Sequence, residues 1–173
     1  MEKIRIEGIK LSDELFQMNV RNSSHSTNIL PEVCRTLASN QINMPFLSFI
    51  RLKNAVQMSC CVAAEDEARV KTLMGSKPGL RETTEFISSV GLVSIFPHKS
   101  SMKILGLSLY ALSKARIPLY GLGSSLSALT FVTEYGLLDE GAEALEEYLE
   151  LPPGQRPFRP QIRVKQSRVV KEE

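Results

Sequence analysis

The sequence has no tryptophan, and only 6% of its residues are aromatic. That leaves few rings on which bases or sugars would stack. Its histidines are His25 and His98, far apart in the chain, and its cysteines are Cys34, Cys60 and Cys61. An odd count with two adjacent members does not read as a disulfide framework, so a reduced, cytoplasmic chain is the expectation. In a strand, Cys60 and Cys61 face opposite ways. They also lack the two further ligands of a tetrahedral zinc site, so no metal and no cofactor are expected. No apolar run approaches the roughly 18 residues of a membrane-spanning helix. The opening Met1-Glu2-Lys3-Ile4-Arg5-Ile6 alternates charged and apolar residues and does not read as a signal peptide.

The marks of several enzyme classes are missing too. There is no Gly-rich phosphate loop ending in Lys-Ser or Lys-Thr, and no Gly-x-Ser-x-Gly elbow. Gly121-Leu122-Gly123 is too short for a dinucleotide fingerprint and precedes a strand rather than a helix. Cys34 with His25 is a dyad on paper, but Cys34 shares a helix face with Leu30 and Leu37 and reads as core. The expectation is a chain with no catalytic residues.

What is there is an ordinary soluble composition, 43% hydrophobic and 23% charged over 173 residues. That suits one domain or two small ones. The net charge of +2 is unevenly spread. Residues 1–151 carry 15 basic against 17 acidic side chains. Residues 152–173 carry Arg156, Arg159, Arg163, Lys165, Arg168 and Lys171 against Glu172 and Glu173. The body is not a nucleic-acid surface by charge. The tail, opened by Pro152, Pro153, Pro157 and Pro160, reads as a linker or as a contact for an acidic partner.

An internal repeat organises the body. Shifted by 75 residues, Ile29-Leu30, Leu37 and Ile42 fall on Ile104-Leu105, Leu112 and Ile117. Apolar residues at 29, 30, 33, 34 and 37, and at 104, 105, 109 and 112, have the period of a half-buried helix. Thr27 or Asn28 is a candidate cap for the first helix, with Pro31 in its first turn; Ser100 and Ser101 are candidates for the second. The period then changes to 2 at Ile42, Met44 and Phe46, and at Ile117 and Leu119. Turns at Arg51–Asn54 and Gly123–Ser125 lead to return strands at Ala55–Ala63 and Ser127–Thr133. Helices follow at Asp66–Met74 and Asp139–Leu149, and a strand precedes each copy's first helix. A last strand for the first copy is expected at Leu80–Thr84. The class is α+β: two ferredoxin-like βαββαβ domains packed side by side, antiparallel sheets with helices on one face. The first domain spans residues 1–80, the second 81–151, and the basic tail 152–173.

These residues resemble a known family. Gly8–Asp13 followed by strand, helix and strand resembles the start of the regulatory region of aspartate kinases. Val93–Phe96, Ala111–Leu119 and Gly123–Val132 resemble its second ACT domain. The resemblance covers residues 6–151 and implies a pair of ACT domains without the kinase domain. It also implies that strand 4–11 completes the second domain's sheet, and that the chain pairs into a homodimer through sheet edges. The family's effector, an amino acid, sits where the first strand turns into the first helix, on backbone N–H groups.

The implied ligand-binding residues are Asn22, Ser23, Ser24, His25, Ser26, Thr27, Asn28 and Ile29 in the first copy, with His98, Ser100 and Ser101 in the second. The family's Pro-Gly at this turn is replaced by Thr27-Asn28 and by Met102-Lys103. Asn tolerates a left-handed backbone, whereas Lys103 suits one poorly and would occupy ligand space. Three functions stand against each other. One is an amino-acid sensor acting on a separate enzyme or regulator. The second is a ligand-free interaction module using sheet edges and the basic tail. The third is an RNA-binding sheet, which lacks its aromatic pair because the return strands offer only Phe131. Nucleic acid and membrane are not expected partners.

Overall fold

The computed structural model describes residues 2–22, 29–53 and 55–160. In chain order the elements begin with β1 (Ile4–Arg5), β2 (Gly8–Leu11), β3 (Leu15–Asn22), α1 (Ile29–Ser39), β4 (Phe46–Arg51) and β5 (Val56–Ala63). Helices α2 (Glu67–Gly75) and α3 (Pro78–Arg81), β6 (Thr84–Phe96) and α4 (Met102–Lys114) follow. The series closes with β7 (Gly121–Ser124), β8 (Leu129–Glu134), α5 (Leu138–Glu146) and β9 (Leu149–Glu150). Residues 16–88 form one compact unit, and residues 2–15 with 89–160 form a second. The 13-residue β6 gives its first part to one and its remainder to the other.

In the first unit the strand order is β4-β5-β3-β6, with β4 and β5 antiparallel from Phe46↔Cys61 to Arg51↔Val56. Alternation along the strands sends Phe16, Met18 and Val20, and Met58, Cys60 and Val62, to one face. Val33 and Leu37 of α1, Val70 and Met74 of α2, and Leu80 of α3 close over that face. In the second unit the order is β2-β6-β8-β7, antiparallel throughout. Ile9, Leu11, Val93, Ile95, Leu129 and Phe131 lie under Ile104 and Leu112 of α4 and Leu138, Ala142 and Leu145 of α5. Both units are ferredoxin-like, with helices on one sheet face.

The repeat is exact in its caps. Gln41 and Arg116, 75 residues apart, take left-handed φ values of 56° and 58°. Ile42 N donates to Leu37 O at 3.0 Å, and Ile117 N to Leu112 O at 2.9 Å. Each is the six-to-one bond of a Schellman cap, and each buries the isoleucine that follows. The helix faces differ from the sequence reading at one place: Leu109 is exposed and its counterpart Cys34 half-buried, because Ser108 and Val33 take the inward position.

Two further differences have physical causes. Of the expected strand at Leu80–Thr84, Leu80 and Arg81 are instead the end of α3, begun by Pro78 at its first turn, Leu80 is drawn into the core, and only Thr84 is strand, opening β6. The first unit's last strand is the opening part of β6, where Arg21 N donates to Thr83 O beside it. The tail is docked rather than a free linker over its first part. Phe158 N donates to Ile9 O at 3.0 Å, and Leu11 N to Phe158 O at 2.8 Å. Arg159 then grips Asp139 with two N–H groups, both at 3.0 Å.

Two predictions follow from this packing. A Cβ on Gly91 would stand 2.6 Å from Cδ1 of Leu138, which is fully buried in the second unit's core. Gly91→Val is expected to lower the unfolding free energy by about 1–3 kcal/mol in urea titration; an unchanged midpoint would contradict that packing. The two hydrogen bonds from Arg159 hold the Asp139 carboxyl below its ordinary 3.8. A lowered folded value means the clamp is fully present above 3.8 and is given up as pH falls through the lower folded value. Exchange of the Leu11 amide is expected to stay slow at pH 5 and to quicken only in strong acid, and Arg159→Ala should remove the difference.

Candidate functional site

The two strand-to-helix loops are the expected ligand sites. In the first unit Asn22 ends β3 and Ile29 opens α1, while Ser23, Ser24, His25, Ser26, Thr27 and Asn28 lie outside the described residues. In the second unit the loop runs from Phe96 to Met102. Lys99 and Ser100 take left-handed φ values of 52° and 53° in succession. Neither is glycine, so each costs about 1–2 kcal/mol and persists only because its surroundings fix it. Ser101 caps α4, its Oγ accepting from Ile104 N at 3.3 Å.

His98 does the fixing. The side chain is only 2% exposed. Its Nε2 lies 3.1 Å from Ser101 O, and its Nδ1 lies 3.0 Å from Ser125 O and 3.2 Å from Ser124 Oγ. A ring proton on Nδ1 donates to Ser125 O, and one on Nε2 donates to Ser101 O. The backbone adds Lys99 N donating to Leu126 O at 2.9 Å and His98 N to Ser127 O at 3.3 Å. His98 therefore ties the loop to the β7–β8 hairpin, and the side chains left open beside it are those of the loop's Lys99 and Ser100. Ser124 and Ser125 had no local signal in the sequence; only the return of the hairpin brings them to His98.

Lys103 departs from its expected conformation. It lies within α4, helical and exposed, and the left-handed positions fall earlier, at Lys99 and Ser100. Cys60 and Cys61 are held as thiols. Burial, reinforced by Cys34 nearby, pushes Cys60 up to about 12, and burial with Cys60 beside it does the same to Cys61. Among the described residues no group of His, Cys, Asp and Glu is placed to hold a metal ion. No helix among them is long and apolar enough to cross a membrane.

Two ferredoxin-like units, each presenting a strand-to-helix loop at the head of its first helix, define the ACT class of fold. The sequence matches no family model and no curated protein. Solved structures do match. The regulatory subunit of aspartate kinase from Thermus thermophilus is 14% identical, with a TM-score of 0.73 over 84% of this chain and 99% of that one. Aspartate kinase from Synechocystis is 12% identical, with a TM-score of 0.74 over 88% of this chain and 28% of that one. Aspartokinase III from E. coli, in complex with lysine and aspartate, is 17% identical, with a TM-score of 0.62 over 82% and 32%. The fold is thus that of the aspartate kinase regulatory region, as the repeat and the quoted motifs imply.

Replacing the clamp tests its role. His98→Leu keeps the bulk but removes the two ring nitrogens that face Ser101 O, Ser125 O and the Ser124 hydroxyl. A loss of about 1–3 kcal/mol in urea unfolding is expected, together with faster exchange of the Lys99 amide. Unaltered exchange at Lys99 would show that the backbone bonds hold the loop without the ring.

Proposed function

We propose that the chain is a non-catalytic regulatory protein whose tandem ACT units sense an amino acid at the strand-to-helix loops. The observation that carries this reading is coverage: the fold is matched over 99% of a free regulatory subunit, and not merely over part of a kinase. In the first unit the ligand would be met by Asn22, Ser23, Ser24, His25, Ser26, Thr27, Asn28 and Ile29. In the second it would be met by Ser100 and Ser101, with His98 as the frame that holds the loop open. Two successive strained residues at one loop support this, because such strain gathers at ligand clamps. The likeness to E. coli aspartokinase III, whose structure is a complex with lysine and aspartate, supports the amino-acid class. The output passes to a separate enzyme or regulator in the cytoplasm, and the chain works as a homodimer.

A second reading, a ligand-free interaction module, is favoured by one feature. The outer strand β4 and its turn expose Leu47, Phe49, Ile50 and Leu52, each between 42% and 50%. An apolar edge of this kind pairs readily with another strand.

A thermal-shift screen against the twenty amino acids, each at about 5 mM, separates the two. A ligand at 100 times its Kd adds about 2.7 kcal/mol, a rise of roughly 5–10 °C in a chain of this length. One or two amino acids are expected to give such a rise. If none does, the sensor reading fails, and Phe49→Asp should then abolish the self-association seen by size exclusion.

A further inference from the structure

We propose that the open face of the second unit's sheet carries a small-molecule site of its own, a groove for a zwitterion with an apolar side chain, a free amino acid of the leucine or phenylalanine kind. It borders the second unit's strand-to-helix loop, whose Phe96 and Pro97 belong to its lining, but takes its ligand on the sheet face rather than at the head of α4. The groove is open to solvent, holds about 640 Å³ and is lined by Glu7, Lys10, Ser94, Phe96 and Leu126 among others. That volume lies within the range of ligand sites, about 300–1,000 Å³.

Its floor depends on an absence. Gly8 stands opposite Phe96 in the β2–β6 register, and a Cβ there would lie 2.4 Å from Cζ of that ring. Only a residue without a side chain lets the ring lie across the strand. Phe158 steadies the ring from beyond, edge-on, with centroids 6.1 Å apart and planes at 85°. Further along the same face Lys10 stands opposite Ser94, whose hydroxyl is 3.0 Å from that of Thr130.

The wall is Leu126, 75% exposed at the tip of the β7–β8 hairpin. An exposed leucine on a mobile tip would signify little. This tip is held by Lys99 N on Leu126 O, by His98 N on Ser127 O, and by Ser125 N on Ala128 O at 2.9 Å. The backbone that carries Leu126 is therefore fixed before a ligand arrives, and only the side chain is ordered on binding.

The two charged residues of the lining are Lys10 and Glu7, of opposite sign. Both are exposed, and among the described residues neither is in a salt bridge. Lys10 suits a carboxylate and Glu7 an ammonium, as charge-assisted hydrogen bonds. The ligand's side chain then lies on Phe96 and against Leu126. A third charge on the ligand would face those apolar groups without a partner, so basic and acidic amino acids are disfavoured here.

The test is amide NMR of the full chain titrated with L-leucine and L-phenylalanine. Saturable shifts are expected on Lys10, Ser94, Phe96 and Leu126. Lys10→Gln and Leu126→Ala should each weaken binding about tenfold, and so should replacing the probe by leucinamide, which lacks the carboxylate, or by N-acetyl-leucine, which lacks the ammonium. Leucinamide should lose nothing further in Lys10→Gln. No saturable shift with either amino acid, or shifts insensitive to both substitutions, overturns the groove. Shifts confined to residues 97–102 and lost in Ser100→Ala assign the ligand to the loop and overturn it equally. The sensor reading survives those results if the thermal screen finds another amino acid, and falls with the groove if it finds none.

Discussion

The first strand of a ferredoxin-like sheet has two edges, and both need partners for their N–H and C=O groups. In the second unit β8 takes one edge of β6, from Val90 to Ile95. The other edge is not filled from the far side of α5, because β9 turns away and pairs parallel with β1. It is filled by β2, through Gly8↔Phe96 to Leu11↔Val93. That borrowed strand brings Ile9 and Leu11 into the core, where both are fully buried. It also sets what lies on the other face: Gly8 under the Phe96 ring and Lys10 beside Ser94. Phe158 then pairs along the outer side of β2, so even the docked tail depends on this strand being in place.

The parts of this architecture legible in the sequence are those set by local period. Helices α1 and α4 repeat at an offset of 75 because Val33 and Leu37, and Ser108 and Leu112, must face the same kind of sheet. The parts that were not legible depend on distant residues. Leu80 reads equally as strand or helix until the core of the first unit claims it. Phe158 sits in a Pro-rich stretch, and nothing local announces that it will pair with Ile9 and Leu11. β4 and β7 begin only at Phe46 and Gly121, a few residues beyond each Schellman cap, although the alternation of period 2 starts at Ile42 and Ile117.

The candidate site shows the same division. The positions of the two loops were readable, since each lies between a period of 2 and a period of 3.6. The state of their residues was not. Left-handed backbone at Lys99 and Ser100 has no glycine or asparagine to signal it. The inward turn of His98 is decided by two carbonyl oxygens and a hydroxyl that arrive from the hairpin and the helix cap. Burial likewise decides the chemistry of the thiols: Cys60 lies in the core of the first unit, Cys61 is buried opposite Phe46, and neither is available as a thiolate.

The pairing of β2 with β6 also orders events during synthesis. Gly8–Leu11 leave the ribosome early, yet their partners Val93–Phe96 are made more than 80 residues later. Throughout that interval a short strand carrying two core side chains waits without its sheet, while the strands and helices of residues 16–88 are made. Contacts so distant in sequence close slowly. The second unit therefore closes its sheet only once residues 93–96 have emerged, and the translation rate across residues 12–96 governs how long its apolar strand stays exposed.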